Sequence, residues 1–229
     1  MTSSSLLSLL QLSDLTLPIG GFSHSSGLET YVQYGLVKDR NTAGAFTRAQ
    51  LALNLFHTDA AFVSLAYDAA VGSDETALWQ LDEECTAVKL PREMRQMSQK
   101  LGLRLLKIFS PLYPDDFSER YRQKIERREA EGHYAIVFGM YARIMGVGKL
   151  EALTAFFYNA AAGMVTNCVK LVPLGQQDGQ AILFSLQPLL EELATKSMTP
   201  DKALIGLCCA GFDIRCMQHE QLYSRLYMS

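Results

Sequence analysis

The chain has 229 residues, 48% hydrophobic and 20% charged, which is enough apolar material for one substantial core and does not require a second domain. Its formal net charge of −3 provides no positive field for phosphate backbones or anionic lipid, so no nucleic-acid or membrane partner is expected. No apolar run reaches the roughly 18 residues of a membrane span, and the start from Met1 to Ser5 lacks the basic segment of a secretory signal, so a cytoplasmic location is expected.

The dominant hydrophobic period is helical and no series of short alternating strands occurs, which predicts an all-α, single-domain bundle of about 9–11 helices over residues 1–229. A first helix over about 4–13 carries Leu6, Leu7, Leu9, Leu10 and Leu12 behind a serine cluster able to cap it, and largely buried leucines are expected. Pro18-Ile19-Gly20-Gly21 then breaks regular structure into a shaped loop. Ser26 and Glu29 have the spacing of a capping box for a short helix that Gly35 ends.

Further helices are predicted at about 42–56, 58–71 and 74–88, the last opened by Ser73 with Asp74 and Glu75 at its positive end and Trp79 packed within it. From Pro91 to Phe109, Met94, Met97, Leu101, Leu105 and Ile108 recur opposite Arg92, Arg95, Lys100, Arg104 and Lys107, a surface helix with one basic face. The charged stretch to about Glu131 carries only the narrow stripe Phe117, Tyr121 and Ile125 and reads as a solvated helix or connector.

The segments 134–145 and 149–171 are apolar on nearly every side and belong at the centre of the fold or in an oligomer interface. Within the second, Ala160-Ala161-Ala162-Gly163 lets another helix or a symmetry mate come close. After Val172-Pro173-Leu174-Gly175, Asp178 can begin a helix whose inner face holds Ile182, Leu183, Leu186, Leu189 and Leu190, with a kink expected at Pro188. A last helix pair is expected at about 200–210 and 213–224, followed by an exposed tail to Ser229.

The residues give little catalytic signal. Gly20-Gly21 lacks phosphate-loop spacing, and His24, His57, His133 and His219 form no HxxxH or HExxH pair, so no tightly bound metal is expected. Cys85, Cys168, Cys208, Cys209 and Cys216 include no CxxC and read as buried small hydrophobes; on a helix Cys208 and Cys209 diverge by about 100°. Ser23 and His24 can be imagined as nucleophile and base, but adjacent side chains diverge and loop or cap hydrogen bonding is the plainer reading. Gln176, Gln177 and Gln180 beside Lys170 form a polar helix entrance. His219 and Glu220 can cap, pair with Arg215 or Arg225, or bind a metal, a surface ion pair being the plainest of these.

The run from Leu17 through Gly20, Gly21, Ser23, His24, Ser25 and Gly27 to Glu29 resembles the N-terminal signature of the urease accessory protein UreF family. Val169 to Gln180 and His219 to Leu226 resemble its second and third signatures in the same order, and weaker similarity at Pro91–Arg95 and Tyr134–Gly146 extends the likeness along the chain. His24 and Ser26 stand where tyrosine and glutamine are common, and Met228 where a basic residue is common.

The resemblance implies a non-catalytic, all-α homodimer that joins UreH (also called UreD) and the GTPase UreG in a complex delivering nickel to apo-urease. No cofactor of its own is implied, only nickel in transit. It also makes Gly20, Gly21, Ser23, His24, Ser25 and Glu29, with Lys170, Pro173, Gln176, Asp178 and Gln180, candidates for GTPase docking or for lining a nickel route. His219, Glu220, Arg225 and Leu226 become candidates for UreH docking. Two alternatives stand beside this: a GTPase activator donating Lys170 or Arg225 to UreG, and a small serine hydrolase using Ser23 and His24.

Overall fold

The structure is a computed structural model that describes residues 2–207 and 209–228, and of Phe22 the backbone alone. Cys208 of the expected cysteine pair and the final Ser229 of the expected tail lie outside the described residues. Eleven α-helices and no strands occur among the described residues, as the helical periodicity predicts.

The centre is α8 (Tyr134–Ile144), in which Ala135 to Ala142 are all buried. It lies against α4 (Asp59–Gly72) and α6 (Arg92–Phe109). A side chain at Gly139 would overlap the Val63 carbonyl, so α4 and α8 touch nearly backbone to backbone. The long α9 (Lys149–Leu171) packs on α10 (Gln176–Lys196) and α3 (Arg40–Ala49). α5 (Glu75–Val88) and the charged α7 (Asp116–Glu126) flank the centre, and Lys124 sits 3.8 Å over the Trp79 ring. Buried Asp82 ties this side together by accepting from Tyr121 Oη (2.7 Å) and from the backbone N–H groups of Glu131 (2.5 Å) and His133 (3.1 Å).

Several expectations change. In α1 (Ser3–Leu12), Leu6, Leu7 and Leu10 are exposed and Leu9 and Leu12 carry the contact with the core. α5 is capped by Asp74, whose carboxylate accepts the Ala77 N–H at 2.9 Å, because Ser73 is already used as the left-handed end of α4. The predicted 42–56 helix widens after α3 into a π turn at Gln50–Asn54 and then tightens into a 3-10 turn at Leu55–His57. α10 begins at Gln176, with Asp178 one turn inside accepting the Gly175 N–H at 3.2 Å, and the helix runs through Pro188. Among the described residues of 200–209 a 3-10 turn at Lys202–Leu204 forms in place of a helix, and the last helix, α11 (Ala210–His219), stops short of 224.

The remaining helix, α2 (Leu28–Gln33), follows the Gly20–Gly27 loop and packs on α11. The small-residue run of α9 serves the chain's own packing: Ala161 and Ala162 are buried, and Leu15 lies 3.8 Å from where a Gly163 side chain would begin.

Candidate functional site

The polar loop takes left-handed backbone at Gly20, Ser26 and Gly27. Gly20 has φ +87°, and a side chain there would overlap the Arg104 guanidinium, which donates to the Ile19 carbonyl at 2.8 Å. Ser23 Oγ donates to the Gly20 carbonyl at 2.7 Å, so this hydroxyl is spent on loop shape. His24 is buried, and Asn167 of α9 donates to its carbonyl at 2.8 Å. Burial pushes the His24 imidazole down to about 4; Lys100 and Arg104 add to the shift and Glu93 opposes it.

Gly27, at φ +76°, begins α2 with no side-chain cap, and a side chain there would strike Cys216 of α11. The expected capping box is therefore absent. Glu29 is 5% exposed and turns toward the end of the chain, where its carboxylate accepts the N–H groups of Leu226 (2.7 Å) and Tyr227 (3.2 Å).

His219 is fully buried, not a surface ion pair. Its Nε2 lies 3.1 Å from Glu29 and its Nδ1 2.8 Å from Glu93. The ring thus bridges the Glu29 and Glu93 carboxylates from its two nitrogens. Glu93 also takes Arg225 at 2.8 Å, and Glu220 pairs with Arg92 at 2.7 Å. Arg215 turns instead to Gln218 and stacks over Tyr34. The Met228 N–H then donates to the Ser23 carbonyl at 2.9 Å. The tail is thus strapped down along its backbone, while Tyr223, Leu226 and Met228 point outward and Tyr227 is buried.

The second polar turn lies beside the first. Lys170, Gln176 and Gln180 border a depression of about 80 Å³ whose wall includes Gly179. Asp178 reaches Arg40 at 3.4 Å, and Pro173 is exposed in the turn. Lys170 also borders a cleft of about 280 Å³ that it shares with Gly21, His24 and Asn167. Residues near positions 20–29, 170–180 and 219–228 therefore meet at one end of the bundle.

Glu93, Asn167 and Arg104, which hold this arrangement, were not among the sequence candidates. Glu93 carried the only available signal, as an acid in a segment of weaker family likeness. Among the described residues no group of three or more His, Cys, Asp or Glu side chains is placed to hold a metal. The carboxylates around His219 engage opposite edges of its ring and do not converge on a point.

Fold and site thus define a helical protein whose polar signature residues shape loops and present surfaces. The sequence profile of the UreF family matches residues 37–187. Relatives named urease accessory protein UreF are 49% identical in Actinobacillus pleuropneumoniae serotype 5b (96% of this chain, 97% of the relative) and 47% in Haemophilus influenzae strain Rd (96% and 94%). Another, from a Bacillus species, is 39% identical over 98% of this chain and 99% of the relative. The chain belongs to the UreF family of urease accessory proteins.

Proposed function

We propose that the chain is a non-catalytic module of urease maturation that joins UreH/UreD and the GTPase UreG in a complex delivering nickel to apo-urease. In this reading it acts in the cytoplasm as a homodimer, with GTP hydrolysis belonging to UreG and nickel in transit without a resident site. The observation that carries it is the meeting of the three signature segments at one end of the bundle, with buried polar atoms spent on holding loops and tail in shape. Ser23 and His24 do not support a hydrolase, because the Ser23 hydroxyl is given to the Gly20 carbonyl.

The strapped tail, with Tyr223, Leu226 and Met228 outward, suits UreH docking, and the face formed by the Gly20 loop and the Lys170 turn suits the GTPase. The outward Leu6, Leu7 and Leu10 of α1 favour self-association. For the activator alternative, Lys170 is the better donor, since it is exposed and has no ion pair among the described residues, whereas Arg225 is held by Glu93. Among the described residues no helix is long and apolar enough to cross a membrane.

Size-exclusion chromatography with light scattering, on the protein mixed with UreH and UreG in the presence of nickel and GTP, tests this reading. A stable stoichiometric complex is expected. Failure to associate in any nucleotide state would overturn the reading. GTP turnover in the same mixture separates activation, which Lys170→Ala would abolish, from docking alone.

A further inference from the structure

The basic face read from the sequence of α6 divides into two halves with different fates. The first half is spent on the fold: Arg92 pairs with Glu220 at 2.7 Å, and Arg95 donates to the Lys89 carbonyl at 3.0 Å. The second half is not. Lys100, Arg104 and Lys107 are exposed and have no ion pair among the described residues. Spacings of four and three residues set them on one side of the helix along about 10 Å of its axis, where like charges weaken a helix unless an acid comes between them. The flanking acids are engaged, Glu93 with His219 and Arg225, and Glu131 with Gln99 at 2.9 Å. The stripe adjoins the polar loop, because Arg104 gives an N–H to the Ile19 carbonyl at 2.8 Å and occupies the space beside Gly20. Its charge is felt inside the loop, where Lys100 and Arg104 add to the effect of burial in holding the His24 imidazole down.

We propose that this stripe docks an acidic segment of the GTPase, with carboxylates facing Lys100, Arg104 and Lys107. The inference rests on the reading above, which seats the GTPase on the loop face, and adds the chemistry of the contact. A chain of net charge −3 repels an acidic partner as a whole, so a local positive stripe beside the loop supplies both attraction and orientation. Leu103, exposed on the same helix, offers apolar contact at its flank. A phosphate backbone or a lipid surface calls for a wider positive field than one side of one helix provides in a net acidic chain.

The test is the rate at which the full-length protein, in complex with UreH, associates with immobilised UreG in the presence of GTP. Lys100 and Lys107 make no hydrogen bond or ion pair among the described residues, so Lys100→Glu/Lys107→Glu leaves the fold intact. This variant should associate at least about tenfold more slowly at roughly 50 mM salt, with dissociation within about twofold of wild type, and the difference should close at roughly 0.5 M. Lys202→Glu, on the Lys202–Leu204 turn, should leave association within about twofold. Wild-type association by the double variant, a loss confined to dissociation or indifferent to salt, or equal slowing by Lys202→Glu would each overturn the proposal while the maturation reading stands. Capture of the wild type, but not the double variant, by phosphatidylserine vesicles with UreG binding unchanged would assign the stripe to a membrane and overturn it as well. Failure of the wild type to bind UreG in any nucleotide state would overturn both.

Discussion

The centre of the bundle and its polar end achieve order by opposite means. Around α8 the order is steric: consecutive side chains are buried, and Gly139 lets two helices approach to backbone contact. Around His219 the order comes from hydrogen bonds, with two carboxylates satisfying one imidazole, two backbone amides and a guanidinium. A packed centre resists any change of shape, whereas a polar clamp can be released while the rest stays folded.

The sharpest way to break this contrast is Gly139→Leu, which forces atoms into the Val63 carbonyl. A loss of about 3 kcal/mol or more is expected in urea unfolding; a loss under 1 kcal/mol would show that the α4–α8 contact is loose.

Acid acts more moderately. Burial holds the His24 and His133 imidazoles near 4, below the ordinary value of 6.5. Between those values the unfolded chain binds more protons than the folded one, so stability is present above pH 6.5 and is lost as pH falls toward 4. Unfolding free energies from urea titrations between pH 7 and pH 5 should decline, by at most roughly 2 kcal/mol per histidine. A flat profile would mean that both rings protonate in place.

The smallest global effect is expected from Glu29→Gln, which puts an N–H where three donors point. Hydrogen exchange at Leu226 and Tyr227 should rise at least about tenfold while α8 amides stay protected and overall stability falls by roughly 1–2 kcal/mol. Equal loss of protection in α8 would show that clamp and centre form one cooperative unit.

What the sequence made legible follows the same division. The helices of the centre are readable because one apolar stripe implies one buried face, and α8 and α9 stand out as apolar nearly all round. The glycine loop is readable as well, because few residues accept the φ of Gly20 or Gly27. The clamp is not. Glu29 sits at capping-box spacing, yet its partners lie 190 to 198 residues away, and no local pattern distinguishes a cap from such a tether. His219 misled for the same reason: its ring is buried between Glu29 and Glu93, while the neighbouring Glu220 stays partly exposed against Arg92. Leu6, Leu7 and Leu10 misled in the other direction, since α1 presents a single narrow face to the core.

The span of the clamp also bears on biogenesis. Glu29 is synthesised early, but its carboxylate meets Leu226 only after 197 further residues have been added. Closing so long a loop is slow compared with forming helices, and N-terminal segments fold first during synthesis. Until Leu226 and Tyr227 have been added, the Glu29 carboxylate lacks the two backbone amides that it holds in the folded chain, so the Gly20–Glu29 segment reaches its final shape late.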